Sequence, residues 1–282
     1  MKLGLVLSGG GARGLAHIGV LKALEESGIR PDIITGASMG GIVGALYSLG
    51  INPSTLESML THLNFDELLE VRNFFYSQKA NKILNSVIQQ TALIPLFTKL
   101  GFDSGRKIRK VFKELTHDKE FKDLKIQFAC VAVDLITERL ITLNSGKLYE
   151  AMYATGAIPP YLEPLEKDGM LLADGGILSN APVDIAREMG ADRVIVVDVN
   201  PLQTFRRREN FKNAFDIILR VLDTTLDALY IDDLMKADYL IQVPLNFDIF
   251  EFDKKDEIVK IGYMIGKESI LSKNLYSLKP RV

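Results

Sequence analysis

The chain has 282 residues, 47% of them hydrophobic and 25% charged, which is typical of a globular protein large enough to bury a core. Its formal net charge of −2 argues against a general nucleic-acid-binding protein, whose surface should be basic. No apolar run is long enough for a membrane-spanning helix or a signal peptide, and the single cysteine, Cys130, excludes an internal disulfide. We therefore expect a cytoplasmic protein.

Predicted strands and helices alternate along the chain, which favours a mostly parallel sheet covered by helices. Short apolar runs predict strands over 3–7, 33–35, 126–133, 140–143, 171–173, 194–199 and 239–243. Helical spacing predicts helices over 15–26, 40–49, from 52 onward, 104–115, 149–154, 183–189, within 211–237, and over 256–271. No repeat or linker divides the chain, so we expect one domain over 1–282, with a variable, helical, lid-like insertion at about 64–102.

A glycine-rich turn, Gly9-Gly10-Gly11-Ala12-Arg13-Gly14, connects the first strand to the first helix. Successive glycines let backbone N–H groups converge beside a helix N-terminus, so this turn can hold a phosphate or a developing oxyanion. Its spacing also matches the dinucleotide-binding fingerprint, which requires an acidic residue at the carboxyl end of the second strand. Asp32 precedes that strand instead. A nucleotide-binding protein is therefore kept as the alternative.

A second turn, Gly36-Ala37-Ser38-Met39-Gly40, lies between the second strand and a helix, which is the setting of a nucleophile elbow. Gly36 and Gly40 remove side chains that would clash in so sharp a turn. We expect Ser38 to be the nucleophile, exposed at the carboxyl edge of the sheet beside a helix N-terminus. The alternative is a packing turn made of small residues.

The histidines bear on how such a serine would be activated, because its hydroxyl needs a positioned base. The chain has His17, His62 and His117, and none after these. An α/β-hydrolase triad requires a histidine late in the chain, after the acid. We interpret His17 as a helix-packing residue and the other two as surface residues, so a serine–histidine–aspartate triad is not expected.

Asp174 is the remaining candidate for the base. It ends a short strand, and Gly175-Gly176 permits a sharp exit from that strand. A carboxylate at the end of a parallel strand faces the same edge as Ser38 and would be placed to accept its proton directly. A simple turn is the alternative interpretation of Asp174-Gly175-Gly176.

These three motifs together resemble the patatin-like phospholipase family, and segments 154–160 and 180–183 look like later parts of its pattern. The resemblance covers roughly residues 3 to 200. It implies an α/β/α sandwich that hydrolyses lipid acyl esters, with Ser38 as nucleophile and Asp174 as base. It also implies an oxyanion hole in the glycine turn, formed by backbone N–H groups around Gly10, Gly11 and Ala12, and no metal or cofactor. A non-catalytic protein of the same fold is a further alternative.

Two features point to contact with a lipid surface. Residues 93–97 are apolar and would form a lid or an interfacial patch, and a basic cluster follows at Arg106, Lys107, Arg109 and Lys110. Such a cluster suits anionic headgroups. The alternatives are an apolar core segment and a solvated helix face. Arg13 either holds its own loop or meets a phosphate headgroup, and Arg206-Arg207-Arg208 is interpreted as a solvated loop.

Overall fold

The computed structural model describes residues 1–63, 65–68, 98–200, 208–211 and 214–278. Within these residues eight strands form one sheet, in the order β5-β6-β3-β2-β1-β7-β8, with β4 paired to β3 outside this path. The strands are β1 (Leu3–Leu7), β2 (Ile33–Gly36), β3 (Gln127–Asp134), β4 (Arg139–Leu143), β5 (Leu165–Lys167), β6 (Met170–Asp174), β7 (Arg193–Asp198) and β8 (Tyr239–Gln242).

The helices cover both faces of this sheet. They are α1 (Ala16–Glu26), α2 (Ser38–Ser48), α3 (Pro53–Thr61), α4 (Phe65–Leu68), α5 (Arg106–Thr116), α6 (Leu148–Thr155), α7 (Val183–Glu188), α8 (Ala214–Met235) and α9 (Lys255–Ser272). A 3-10 turn, Gly11–Leu15, leads into α1. The predicted helices and strands lie within a few residues of these elements, except that α2 begins at Ser38 itself and β5 was not predicted.

Two apolar cores on opposite faces of the sheet give the fold its three layers. Leu5 and Leu7 belong to the larger core, with residues of α1, α2 and α9. Val6 belongs to the smaller core, with residues of α7 and α8. Because side chains alternate across a strand, these neighbours in β1 bury apolar surface on both faces. The structure therefore confirms the predicted α/β/α sandwich with a mostly parallel sheet.

Parallel pairing brings the ends of the central strands to one edge of the sheet. β1 pairs in parallel with β2 and β7, β2 pairs with β3, and β7 pairs with β8. The carboxyl ends of these strands, which we call the carboxyl edge, therefore carry both the glycine-rich turn and the turn containing Ser38. This is the edge where ligands bind in open α/β sheets.

The direction of β6, the strand that carries Asp174, differs from the one expected from the sequence. β6 runs antiparallel to β3, whereas we expected it to be parallel. Asp174 nevertheless lies close to the carboxyl edge, because Leu172 lies opposite Asp134, the last residue of β3, and Asp174 lies opposite Ala132. The strand thus enters at the carboxyl edge and stops two residues below it.

Most of the predicted insertion lies outside the described residues, including the apolar segment 93–97. Within the described part of that region, residues 65–68 form α4, and residues 98–105 lead into α5.

Candidate active site

Ser38 occupies a strained backbone position at the start of α2. Its φ is +50°, a value that non-glycine residues rarely adopt, and its side chain is 6% exposed. The turn lies against β1 so closely that a Cβ at Gly40 would be 2.2 Å from the carbonyl oxygen of Leu7. The Ser38 N–H donates to Oγ1 of Thr155 at 3.1 Å, and Thr155 in turn donates to the Val131 carbonyl at 2.6 Å.

Asp174 lies beside this serine with its carboxylate 5% exposed. Burial raises the pKa of the Asp174 carboxyl to about 6, and hydrogen bonds from the Gly176 N–H and the Ser38 side chain act in the opposite direction. The Gly176 N–H donates to Oδ1 at 2.8 Å, which fixes the carboxylate in the turn. A carboxylate with a pKa near 6 is ionised at neutral pH and a better proton acceptor than an exposed one.

The glycine-rich turn lies next to Ser38, since a Cβ built at Gly9 would be 3.1 Å from the Ser38 Cβ. Some of its N–H groups already donate within the protein, namely those of Gly9 to the Asn180 carbonyl at 3.0 Å, Ala12 to the Ile249 carbonyl at 2.8 Å and Arg13 to the Gly10 carbonyl at 3.2 Å. The Ala12 N–H, which was expected to contribute to an oxyanion hole, thus already has an acceptor within the protein. Across the residues that the structure describes, the N–H groups of Gly10 and Gly11 have no acceptor.

Gly11 shows why the turn needs glycine. Its φ is +56°, and a Cβ there would lie 2.3 Å from the carbonyl oxygen of Ile249. The same oxygen accepts the N–H of Ala12. The turn is therefore pressed against the segment after β8, which the sequence analysis did not connect with the site. Gly14, the last residue of the motif, lies within the 3-10 turn and is buried.

An apolar cavity, partly open to solvent, has Ser38 and Gly11 among its lining residues. Residues from several helices and from the segment after β8 line it, including Met39, Ile42, Ile108, Phe112, Leu162 and Phe250. A cavity with almost no polar lining suits a hydrocarbon chain.

The histidines lie where the sequence analysis placed them. His17 is fully buried in α1, with Nε2 at 2.8 Å from the Ser8 carbonyl oxygen. Burial lowers the pKa of His17 to about 4, so the ring is neutral and donates its proton to that carbonyl. His62 and His117 are exposed. A catalytic histidine beside Ser38 is therefore not found among the described residues.

Asp32 does not provide the acidic group that a dinucleotide site needs. Its carboxylate accepts the N–H of Leu3 at 2.8 Å, and its own N–H donates to the Leu3 carbonyl. Leu3 is the first residue of β1, so Asp32 lies at the amino edge of the sheet, opposite the glycine-rich turn. The geometry therefore does not favour the nucleotide-binding alternative.

The predicted basic cluster lies on α5. Arg106, Lys107 and Lys110 are exposed, whereas Arg109 is half-buried with its guanidinium 5.1 Å from the centre of the Tyr153 ring. The opposite face of α5 carries Ile108 and Phe112 into the cavity. One helix thus has an apolar face in the cavity and a basic face in solvent.

Arg13 contacts its own loop. Its Nε donates to the Gly10 carbonyl at 3.3 Å, and burial lowers the pKa of its guanidinium. This contact agrees with the first of the two roles expected for it. Of the arginines at 206–208, Arg208 is described and is exposed, and the other two lie outside the described residues.

The sequence analysis gave no role to Thr155 or Asn200, both of which contact the site. Asn200 follows β7 at the carboxyl edge, and its Nδ2 donates to the Gly9 carbonyl at 2.5 Å. Its position two residues after a central parallel strand is a signal that could have identified it. Thr155 lies on α6 and meets Ser38 only through tertiary packing.

In the part of the chain that the structure describes, no three His, Cys, Asp or Glu side chains are grouped so as to hold a metal ion. In the same residues, no helix combines the length and apolarity needed to span a membrane.

Comparison with known proteins identifies the fold and its relatives. The family model described as "Patatin-like phospholipase" matches residues 5–187. Patatin-like phospholipase domain-containing protein 6 of Homo sapiens is 30% identical over 296 residues, covering 94% of this chain but 20% of the relative. The neuropathy target esterase sws of Drosophila melanogaster is 33% identical over 294 residues, covering 94% and 19%. The crystal structure of VipD from Legionella pneumophila matches with a TM-score of 0.53 at 17% identity, covering 96% of this chain and 67% of that one.

Proposed function

The chain belongs to the patatin-like phospholipase family, and we propose that it hydrolyses lipid acyl esters with Ser38 as nucleophile and Asp174 as general base. The observation that carries the proposal is that Ser38, strained and buried, lines an apolar cavity while its side chain interacts with the buried carboxylate of Asp174. This chain spans about one fifth of the length of the curated relatives, so their activity reaches it only as part of this proposal.

Acylation follows from the geometry around Ser38. Its Oγ attacks the ester carbonyl carbon while its proton moves to the Asp174 carboxylate. Negative charge then develops on the carbonyl oxygen. The N–H groups of Gly10 and Gly11 donate to that oxygen, and the N-terminus of α2 adds positive potential. When the tetrahedral intermediate collapses, the ester bond breaks, the proton on Asp174 passes to the leaving alcohol, and the acyl group stays on Ser38.

Deacylation repeats these roles with water. Asp174, again ionised, takes a proton from a water molecule that attacks the acyl carbon, and the same two N–H groups stabilise the second oxyanion. Collapse releases the fatty acid, and the proton on Asp174 returns to the oxygen of Ser38. Every step is an acyl or proton transfer among groups already present, so the scheme needs no cofactor.

The cavity supports an acyl chain as the part of the substrate that binds. Burying hydrocarbon against its apolar lining contributes about 25 cal/mol for each Å² removed from water. Because Ser38 lines the cavity, an acyl chain held there would have its carbonyl close to the nucleophile. This positions the ester without a polar recognition group.

The basic face of α5 supports peripheral contact with a lipid surface. Five basic residues lie in this helix of 11 residues, in a chain whose net charge is −2. Each basic residue near an anionic membrane contributes roughly 1 kcal/mol to binding. Docking through the basic face would hold the protein at the surface where its lipid substrate lies.

Substitution of the two side chains tests the proposed reaction. Ser38→Ala and Asp174→Asn should each lose hydrolysis of a p-nitrophenyl ester, and Ser38→Ala should also lose covalent labelling by a fluorophosphonate. Ser145→Ala and Asp168→Asn, two exposed residues away from the cavity, are the matched controls and should keep both. Full activity in either site variant would contradict the serine–aspartate pair.

A panel of lipid classes incubated with wild-type protein and Ser38→Ala would then identify the substrate. A folded wild-type protein that hydrolyses no ester would favour a non-catalytic member of the family. A thermal shift with NAD in such an inactive protein would favour the nucleotide-binding alternative.

A further inference from the structure

The two N–H groups without acceptors belong to peptide groups whose carbonyls are held by side chains. The Gly10 N–H shares a peptide with the Gly9 carbonyl, which accepts from Nδ2 of Asn200 at 2.5 Å. The Gly11 N–H shares a peptide with the Gly10 carbonyl, which accepts from the N–H and Nε of Arg13. Each of these two candidate oxyanion donors therefore belongs to a peptide whose carbonyl accepts from one residue, which is Asn200 for the Gly10 N–H and Arg13 for the Gly11 N–H.

The peptide before these two is held at both ends. The Ser8 carbonyl contacts Nε2 of His17, and the N–H of the same peptide, that of Gly9, donates to Asn180. It has no free donor. The pattern therefore changes at Gly9: in the next two peptides the carbonyls accept hydrogen bonds and the N–H groups, those of Gly10 and Gly11, are left available.

A peptide is planar and its C=O and trans N–H point in opposite directions. Fixing the direction of the carbonyl therefore fixes the direction of the N–H. We propose that Asn200 is a positioning residue, which holds the Gly9 carbonyl and thereby aims the Gly10 N–H at the oxyanion of the proposed reaction. A hydrogen bond to the carbonyl also polarises the peptide and makes its N–H a better donor.

Asn200 is itself held by a buried polar cluster. Its backbone N–H donates to Oδ1 of Asp198 at 2.8 Å, and the Tyr230 hydroxyl on α8 donates to the same oxygen. Nε2 of Gln242 donates to the other carboxylate oxygen at 3.3 Å. With partners on both oxygens, the Asp198 carboxylate stays fixed, and Tyr230 connects the glycine turn to a helix on the smaller core.

The end of β7 is also joined to the end of β1. The Val199 N–H donates to Oγ of Ser8 at 3.1 Å, one residue before the glycine turn begins. The support for Asn200 therefore moves together with the turn that it orients. A side chain on a flexible surface loop would not hold a catalytic peptide in this way.

This inference rests on the proposed function, and its test separates ground-state binding from oxyanion stabilisation. The variants are Asn200→Asp, which removes the donor and places a negative charge against the Gly9 carbonyl, and Asn200→Ala. Asn144→Asp, an exposed change of the same kind at the amino edge of the sheet, is the control. Tyr230→Phe keeps Asn200 but removes one partner of Asp198.

Three quantities are measured for each folded variant: kcat and KM on a soluble ester, the affinity for a long-chain trifluoromethyl ketone, and the affinity for a long-chain alcohol. Ser38 adds to the carbonyl carbon of the ketone, which becomes an oxyanion, whereas the alcohol only occupies the cavity. Asn200→Asp and Asn200→Ala should lower kcat by roughly 10- to 100-fold with KM within about twofold. Ketone affinity should fall in the same proportion as kcat/KM, with alcohol affinity unchanged.

The Tyr230→Phe variant should likewise lose ketone affinity but keep alcohol affinity, with kcat/KM and ketone affinity lower by about threefold to tenfold. This variant provides the test if both Asn200 variants fail to fold. Equal losses of ketone and alcohol affinity would overturn the positioning role. Wild-type values in folded Asn200 variants would overturn it as well while leaving the proposed function intact. Absence of Ser38-dependent turnover in the wild type would overturn both.

Discussion

The amide of Ser38 and the hydroxyl of Thr155 are joined by a hydrogen bond of 3.1 Å, although 117 residues separate them in the chain. Thr155 Oγ1 accepts this bond while donating to the Val131 carbonyl on β3 at 2.6 Å. The strained conformation of Ser38 is thus attached to the centre of the sheet through one buried hydroxyl. Strain of this kind persists only where the surrounding structure over-determines it.

Thr155→Val should therefore weaken the nucleophile turn, because valine keeps the shape of threonine but cannot accept the Ser38 N–H. We expect a loss of about 1 to 3 kcal/mol in the free energy of unfolding, since a buried N–H is left without an acceptor. We also expect kcat to fall more than KM rises. Urea unfolding and steady-state kinetics measure both, and Thr155→Ser, which keeps the hydroxyl, is the matched control. Equal effects of the two substitutions would argue against this role for the hydroxyl.

The pH dependence of ester hydrolysis should report on Asp174. Its pKa is raised to about 6, and only the ionised carboxylate accepts the Ser38 proton. The values of kcat/KM should therefore be low below that pH, rise tenfold per pH unit, and become constant above it. Measurement between about pH 4.5 and 8 on a soluble ester whose own hydrolysis is subtracted tests this. A flat profile would mean that another group sets the protonation state.

Asp174→Asn should stabilise the fold at neutral pH while abolishing activity. Because the folded pKa of about 6 lies above the ordinary value of 3.8 for an aspartate, the contribution of Asp174 to stability is full below 3.8 and is lost as the pH rises through 6. Asparagine keeps an oxygen for the Gly176 N–H and removes the buried charge. The free energy of unfolding should rise by roughly 1 to 3 kcal/mol at neutral pH, and by less at about pH 5. A destabilised variant at both pH values would contradict this.

Charge reversal on α5 tests the lipid-surface contact. Arg106→Glu with Lys110→Glu should reduce binding to vesicles of anionic phospholipid by roughly tenfold or more at moderate salt, because each basic residue contributes about 1 kcal/mol. Binding to zwitterionic vesicles and hydrolysis of a soluble ester should not change. Lys260→Glu with Lys273→Glu, two exposed positions on and just after α9, gives the same change in net charge. If both pairs weaken vesicle binding equally, overall charge and not α5 is responsible.

Filling the cavity should shorten the acyl chain that the protein accepts. Ile108 lines the cavity from α5, and Ile108→Trp would project a larger ring into it. The kcat/KM for a hexadecanoyl ester should fall by about tenfold or more, with that for a butanoyl ester within roughly twofold, since only the long chain needs the lost space. Ile136→Trp, at a position that is 65% exposed, is the control. Equal losses on both esters would place the chain elsewhere.

The parts of the fold that were predictable depend on local pattern. The apolar run of β1 and the small residues of α2 indicated their elements directly, because both are buried on all sides. The direction of β6 was not predictable in this way. The apolar run of β6 predicts a strand, but its antiparallel pairing with β3 depends on where the chain re-enters the sheet.

The same division applies to the candidate site. Ser38, Asp174 and the glycine turn could be proposed from the sequence because each lies at a strand end with glycines beside it. Which N–H groups of that turn remain available was not predictable. The N–H groups of Gly9 and Ala12 donate to the carbonyls of Asn180 and Ile249, which come from distant segments of the chain. No sequence motif singles out Thr155, because its contact with Ser38 depends on how α6 packs against α2.

The contact between Ala12 and Ile249 has a consequence for how this protein can diversify. The proposed nucleophile and base lie within residues 5–187, which the family model matches, whereas Asn200, Tyr230 and Ile249 lie beyond it. Part of the cavity wall and the proposed positioning residue are thus encoded outside the stretch that holds the proposed catalytic pair. Substitutions in the last third can change the shape of the cavity wall and the aim of a donor while the reacting pair stays untouched, so new substrate preferences are accessible without rebuilding the catalytic pair.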